Sequence, residues 1–229
     1  MLLPEPQKTE THRYQLVQGN RAVRGQSVQE RSLHGWIELS EAAVIPLSAE
    51  LMKDNAELTS FHRSEADTHS YHYVSFNCSF GPGDKQKFEK AWLEATLTGD
   101  QGQDPSPIAW SMSPKDAWDD VEQSAKASIG AKFELISSGL EAAQKADVKS
   151  YFLRAYREKH SNPYWEFRST DTADIDGTYR FHMITRSEKG TRGCGTLKLS
   201  AMVQKRRYFL LTSSEAAEAP PEITFDLSG

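Results

Sequence analysis

The strongest constraint on this chain is strict two-residue alternation. From Tyr71 to Phe80, His72, Val74, Phe76, Cys78 and Phe80 share one side, while Tyr71, Tyr73, Ser75, Asn77 and Ser79 share the other. Successive side chains of an extended strand point to opposite faces, so this pattern specifies a strand with two unlike surfaces. Gly81-Pro82-Gly83-Asp84 signals a turn. Residues 88–97 then resume, with Ala91, Leu93, Ala95 and Leu97 on one face. The arrangement returns further on. Tyr179, Phe181 and Met183 alternate with Arg180 and His182, a glycine-rich loop follows at 187–195, and Leu197, Leu199, Ala201 and Val203 alternate again. Two β-hairpins are the expected reading. They can be a duplicated β unit, with halves at 33–112 and 113–211, or two amphipathic hairpins that match by patterning alone. Periodicity does not separate these.

Helical signals lie between the hairpins. Ser48 precedes 49–55 as an N-cap. In Ser113-Pro114-Lys115-Asp116, serine can cap, proline suits the first helical position, and Asp116 can reach back, while Trp118, Val121 and Ala125 follow at helical spacing. In 141–159, Val148, Tyr151, Phe152, Ala155 and Tyr156 recur at i, i+3, i+4, i+7 and i+8, and Asn162-Pro163 closes the segment. The expected fold class is therefore α+β, mainly antiparallel β-hairpins forming a sandwich-like body with two or three short helices. The expected organisation is a polar N-terminal arm at 1–32 with one strand at 14–17, a single globular domain at 33–211, and an acidic tail at 212–229. Residues 222–227 of that tail alternate and can add as an edge strand.

A chain of 229 residues suffices for one large domain with a real core. Its net charge of −5 argues against a dedicated nucleic-acid binder. Cys78 and Cys194 are the only cysteines, and neither has metal-site spacing around it. The first residues turn polar at once, and no apolar run approaches the ~20 residues of a membrane helix. A cytoplasmic protein without a cofactor is the expectation. No phosphate-binding glycine loop, dinucleotide fingerprint or nucleophile elbow occurs.

Three features can carry function. From 178 to 207, Arg180, Arg186, Lys189, Arg192, Lys198, Lys205, Arg206 and Arg207 stand against one acid, Glu188. From 93 to 125, Glu94, Asp100, Asp104, Asp116, Asp119, Asp120 and Glu122 stand against one base, Lys115. Such segregation steers partners. The leading expectation is a non-enzymatic protein-binding or assembly module, whose basic hairpin meets an acidic partner surface or a second copy; solvated strand faces explain the same charges. The second feature is 127–135, where Ala127, Ile129, Ala131, Phe133 and Leu135 alternate strictly with Ser128, Gly130, Lys132 and Glu134. Amphipathic strands of ~9–11 residues cross bilayers in assembled barrels, so the alternative is a membrane-acting pore-type effector. Any half-buried strand of a soluble sheet shows the same pattern. The third is His62, His69 and His72, with Glu65 and Asp67 between them. These are competent ligands for a metal-dependent enzyme, although a polar loop entering a strand needs no metal.

Overall fold

In the computed structural model, residues 10–17, 32–48, 56–84, 86–100, 105–118, 151–207, 211–216 and 222–227 are described. They form two antiparallel sheets. The first runs in the order β1 (Thr11–Val17), β2 (Ser32–Ser40), β4 (His69–Gly81), β10 (Gly177–Glu188), β6 (Ile108–Ser113), with β3 (Ala43–Pro46) also pairing β4. The second runs β12 (Leu211–Ala216), β11 (Gly193–Arg207), β5 (Gln86–Gly99), β9 (Tyr164–Arg168), β8 (Tyr151–Tyr156), β7 (Asp116–Trp118), with β13 (Ile223–Asp226) also on β11.

The alternating runs do form strands, and their predicted inward faces are the buried ones. Val74, Phe76, Cys78 and Phe80 of β4 meet Phe181 and Met183 of β10 in one core with Phe88, Leu93, Leu97, Leu197 and Leu199 of the second sheet. Aromatic rings join the layers. Phe80 lies 5.4 Å from Phe88 and 5.1 Å from Phe167, and Trp165 lies 5.0 Å from Phe181, all at the steep interplanar angles that suit ring quadrupoles. Burying each such side chain contributes about 1.5–3 kcal/mol before ordering entropy is charged against it.

The pairing departs from expectation. β4 pairs with β10 through Phe80↔Gly177 to His69↔Glu188, and β5 pairs with β11 through Gly99↔Gly193 to Gln86↔Lys205. Each presumed hairpin instead sends its two strands into different sheets, with the connections after β4 and after β10 crossing between them. The physical reason is that every strand of both units has a full apolar face. Folding each unit over itself lets those faces meet across the core, and the open edges are then satisfied by the other unit.

The α+β expectation is also overturned, since the described residues are almost wholly strand, with one helix, α1 (Ala56–Glu65). Ser113 ends β6 rather than capping a helix, and Asp116–Trp118 form β7 against β8. Tyr151–Tyr156 are strand as well. Phe152 and Leu153, adjacent in sequence, are both buried. This removes the two-residue period and leaves a spacing that imitates a helix. The expected helix at 49–55, the expected strand at 127–135, and the parts of the two other expected helices at 119–125 and 141–150 lie outside the described residues. The alternation at 222–227 forms the edge strand β13, with Ile223 and Phe225 buried and Leu227 just beyond it in the core.

Docking of β13 depends on Gly195. A Cβ there would stand 2.0 Å from the Phe225 ring. Gly195→Ala is expected to destabilise the fold by about 1–3 kcal/mol in urea denaturation, as overpacking does. Adding Phe225→Ala should make the double variant less destabilised than the sum of the singles. Strict additivity would show that the ring does not occupy this space.

Candidate functional site

The chain leaves the second sheet at Trp118 and returns at Tyr151, its partner in the β7–β8 register. This junction is held from two sides. Ala155 N–H donates to the Lys115 carbonyl at 2.7 Å, and Trp165 Nε1 donates to the Pro114 carbonyl at 2.9 Å. Trp165 is wholly buried, so its indole ties the departing strand to the core. On the returning strand, the Tyr151 ring lies between two guanidiniums, with Arg154 and Arg168 4.4 and 4.5 Å from its centroid. Its hydroxyl meets that of Tyr156 at 2.9 Å and donates to Glu166 Oε1 at 3.2 Å. Arg168 pairs with the same carboxylate. Desolvation, then the Tyr156 hydroxyl and Glu166, push the Tyr151 hydroxyl up, so it remains a donor. Tyr156 stacks on Tyr164 at 4.9 Å. These contacts tie together the strand ends at which the chain leaves the second sheet and returns to it.

The basic residues do not form one surface. Arg180 and Arg186 lie on the outward side of β10 in the first sheet, whereas Lys198 lies on the outward side of β11 in the second. Inward neighbours of both strands meet in the core between them, so these are opposite sides of the sandwich. Lys198 stands directly across from Glu94, which offsets its charge within the sheet. Arg186 lies 4.1 Å over Trp110 and 3.8 Å from Glu65. Lys189 donates to the Ala66 carbonyl at 2.8 Å, and Arg192 occupies the turn before β11. Lys205, Arg206 and Arg207 are placed by backbone pairing with Ser213, Thr212 and Leu211. Asp116 is exposed on β7. Cys194 lies within β11 rather than in a loop, 3.1 Å from the Thr98 hydroxyl.

His62, His69 and His72 are brought together around one cavity of about 590 Å³, whose other walls include Tyr71, Arg192 and Leu227. Among the described residues, no group of three or more His, Cys, Asp or Glu side chains is arranged to hold a metal ion. The alternation of β4 sends His69 and Tyr71 to one side and His72 to the other, as its period requires. Sequence reasoning gathered these histidines by proximity. It placed Arg192 with the basic residues of 178–207 rather than with these histidines, because the β10–β11 turn comes to them only through the β4–β10 pairing.

The outward face of the first sheet is unexpectedly dry. Tyr73, Ser75, Ser111, Ser113, His182 and Ile184 are all buried. His182 Nδ1 and the Tyr73 hydroxyl share a 2.5 Å hydrogen bond. Burial first, and Arg180 second, lower His182 to about 4 from its ordinary 6.5.

Neither a protein-family model nor a curated protein matches this chain. Solved structures similar to it include delta-toxin of Clostridium perfringens, at 9% identity and TM-score 0.37 over 95% of this chain and 90% of that one. Another bears the description "Pore forming protein", at 6% identity and TM-score 0.37 over 95% and 91%. A third is the membrane-inserted form of the Clostridium perfringens NetB toxin, at 6% identity and TM-score 0.34 over 95% and 94%. Likeness at this level establishes neither a shared family nor a shared activity. No helix among the described residues is long and apolar enough to cross a membrane, which leaves crossing by strands untouched.

Two predictions follow from this geometry. Tyr151→Phe keeps the ring between its guanidiniums and removes the hydroxyl bonds, so it should cost about 1–2 kcal/mol in urea denaturation. A neutral substitution would mean the hydroxyl network contributes nothing to the junction. For His182, the unfolded chain takes up a proton as pH falls from 6.5 towards 4 while the folded chain does not. The stability that neutral His182 contributes is thus full above the upper value and lost as pH falls through this window, by about 3 kcal/mol in all. His182→Gln should flatten that part of the stability–pH curve; an unchanged slope would assign it to other groups.

Proposed function

We propose that this protein is a membrane-acting pore-type effector, in which residues 119–150 supply a bilayer-crossing β-hairpin. The observation that carries this reading is the junction. About 30 residues depart and return at neighbouring, antiparallel strand ends, Trp118 and Tyr151. Such ends launch a hairpin without any further turn of the chain, and about 15 residues a side exceeds the ~9–11 that a tilted membrane strand needs. The sequence between them has the required chemistry. Val121, Ala125, Ala127, Ile129, Ala131, Phe133 and Leu135 fall on one parity, against Glu122, Ser124, Lys126, Ser128, Lys132 and Glu134 on the other. Ser137-Ser138-Gly139 supplies turn residues, and Leu140, Ala142, Ala146 and Val148 then alternate with Glu141, Lys145, Asp147 and Lys149. One face suits lipid and the other a water-filled lumen.

A lone hairpin exposes unpaired backbone at both edges, which hydrocarbon does not tolerate. The reading therefore includes self-assembly of several copies, enough to close a barrel of at least ~8 strands. It replaces the cytoplasmic expectation with action at a target membrane.

The test uses the parity of the two faces. Ile129→Lys puts a charge on the lipid side, at a cost of about 2–4 kcal/mol per copy near the bilayer midplane. Ser128→Lys puts the same charge in the lumen. Dye release from phospholipid vesicles should be lost with the first and kept with the second. Equal release from both variants, or none from the unaltered protein on any vesicle, would sink the reading.

A further inference from the structure

The cavity around the three histidines lies far from the junction. Its Arg192 and Leu227 sit at the Gly99–Gly193 end of the second sheet, and the Leu227 N–H donates to the Gly193 carbonyl at 2.8 Å. Trp118 and Tyr151 lie towards the Gln86–Lys205 end, below the Ala91↔Phe167↔Leu153 row. Whatever the cavity holds is thus separate from the hairpin base, and the argument for it does not rest on the pore reading.

The chemistry of the lining is one-sided. His62, His69, His72 and Arg192 line the space together with Ser70 and Thr191, and among the described residues no carboxylate belongs to the lining. This is unusual in a chain of net charge −5. Glu65 stands just behind the wall, 3.4 Å from His69 Nδ1. Its carboxylate already receives the Tyr71 hydroxyl at 2.7 Å and lies 3.8 Å from Arg186, so its charge is shared out before any ligand arrives. His69 Nδ1 is also engaged by the Thr68 hydroxyl at 2.8 Å, which leaves Nε2 as the nitrogen for a ligand. His72 is only 5% exposed, and its Nδ1 has no hydrogen-bond partner. Burial pushes His72 below its ordinary value, against a smaller opposing effect of Asp226, so this imidazole favours its neutral form and serves as wall rather than as a charged donor. Tyr71, Leu47 and Leu227 give the rest of the wall an apolar character. A space of this volume, with convergent polar groups beside a few apolar side chains, has the size of a small-molecule site.

We propose that this cavity binds a phosphomonoester, with the phosphate between Arg192 and His69 and its organic part against Tyr71 and Leu47. The Arg192 guanidinium supplies the charge-assisted donor fork that a compact oxyanion needs, and His69 Nε2 supplies a further donor.

Calorimetric titration of the full chain with glycerol 3-phosphate at fixed ionic strength tests this, with sodium chloride as the blank. Saturable binding is expected, weakened about tenfold or more by Arg192→Gln and by His69→Gln, since each removes a donor to the phosphate. Lys198→Gln, a cation on the other sheet, should leave it unchanged. Vesicles carrying phosphatidic acid form the second arm. Arg192-dependent capture by them, without binding of the soluble ester, would identify the phosphate as a lipid headgroup; binding of the soluble ester alone would identify a free metabolite. No saturable binding in either arm, or binding indifferent to Arg192 and His69, overturns the proposal. Thermal unfolding of each variant without ligand checks that it is folded, so a lost fold is not read as a lost site. Dye release by the unaltered protein is scored separately, so the two readings fail independently.

Discussion

The architecture depends on one exchange. β4 and β5 are consecutive in the chain, as are β10 and β11, yet the hydrogen-bonded neighbours are β4 with β10 and β5 with β11. Neither sheet can form from one half of the sequence. Their inward faces meet through rings such as Phe80, Phe88 and Phe167, so closing the core and pairing the strands are the same event. Contacts of this sequence separation pay loop-closure entropy before they return anything, which predicts slow, all-or-none assembly of the two layers. The exchange also explains the two sites. It brings the β10–β11 turn beside the first residues of β4, making the histidine cavity, and it leaves β9, β8 and β7 as an extension of β5 from which the 119–150 connection departs.

Much of the strand content was legible because alternation reports burial directly. The inward residues of β4, β5, β10 and β11 were assigned to their correct faces. The partner of each strand was not legible, because a period of two specifies a face and says nothing about which edge lies alongside. Helix errors arose where both faces of a short strand are buried. Phe152 and Leu153 erase the alternation of β8, and Ser113-Pro114 imitates a cap although Lys115 and Asp116 find backbone partners in β8. The one described helix, at Ala56–Glu65, has a polar sequence with few apolar residues to mark a face, and no helical signal stands out there. For the cavity, His62, His69 and His72 stand out by sequence proximity, whereas Arg192 lies in the β10–β11 turn, and its charge shows in the sequence while its place beside the histidines does not.

The first sheet's outward face has a chemistry that suits a change of state. Ser75, Ser111, Ser113, Tyr73 and His182 are buried there, yet all are polar. Ser111 Oγ has no hydrogen-bond partner. A dry face built from such groups gains little from being dry, because each hydroxyl or imidazole recovers water contacts on exposure. An apolar face of the same area would resist exposure by about 25 cal/mol per Å². Ile184, Tyr71, Tyr73 and Leu47 also cluster on this side, so baring it has an apolar cost, but a smaller one than opening the core, where Trp165, Phe167 and Phe181 are wholly enclosed.

That difference bears on how a pore reading can work in physical terms. Two amphipathic strands cannot enter hydrocarbon singly, since each unpaired backbone group there costs several kcal/mol. Insertion must follow, or accompany, the pairing of hairpins from neighbouring copies. The folded body then has to present each hairpin base at a fixed register while the rest of the chain stays intact. The bonds from Trp165 to Pro114 and from Ala155 to Lys115, together with Tyr151 clamped between Arg154 and Arg168, hold that base to the enclosed core rather than to the outward face. A rigid junction beside a core that stays closed lets about 30 residues rearrange without unfolding the sandwich that carries them.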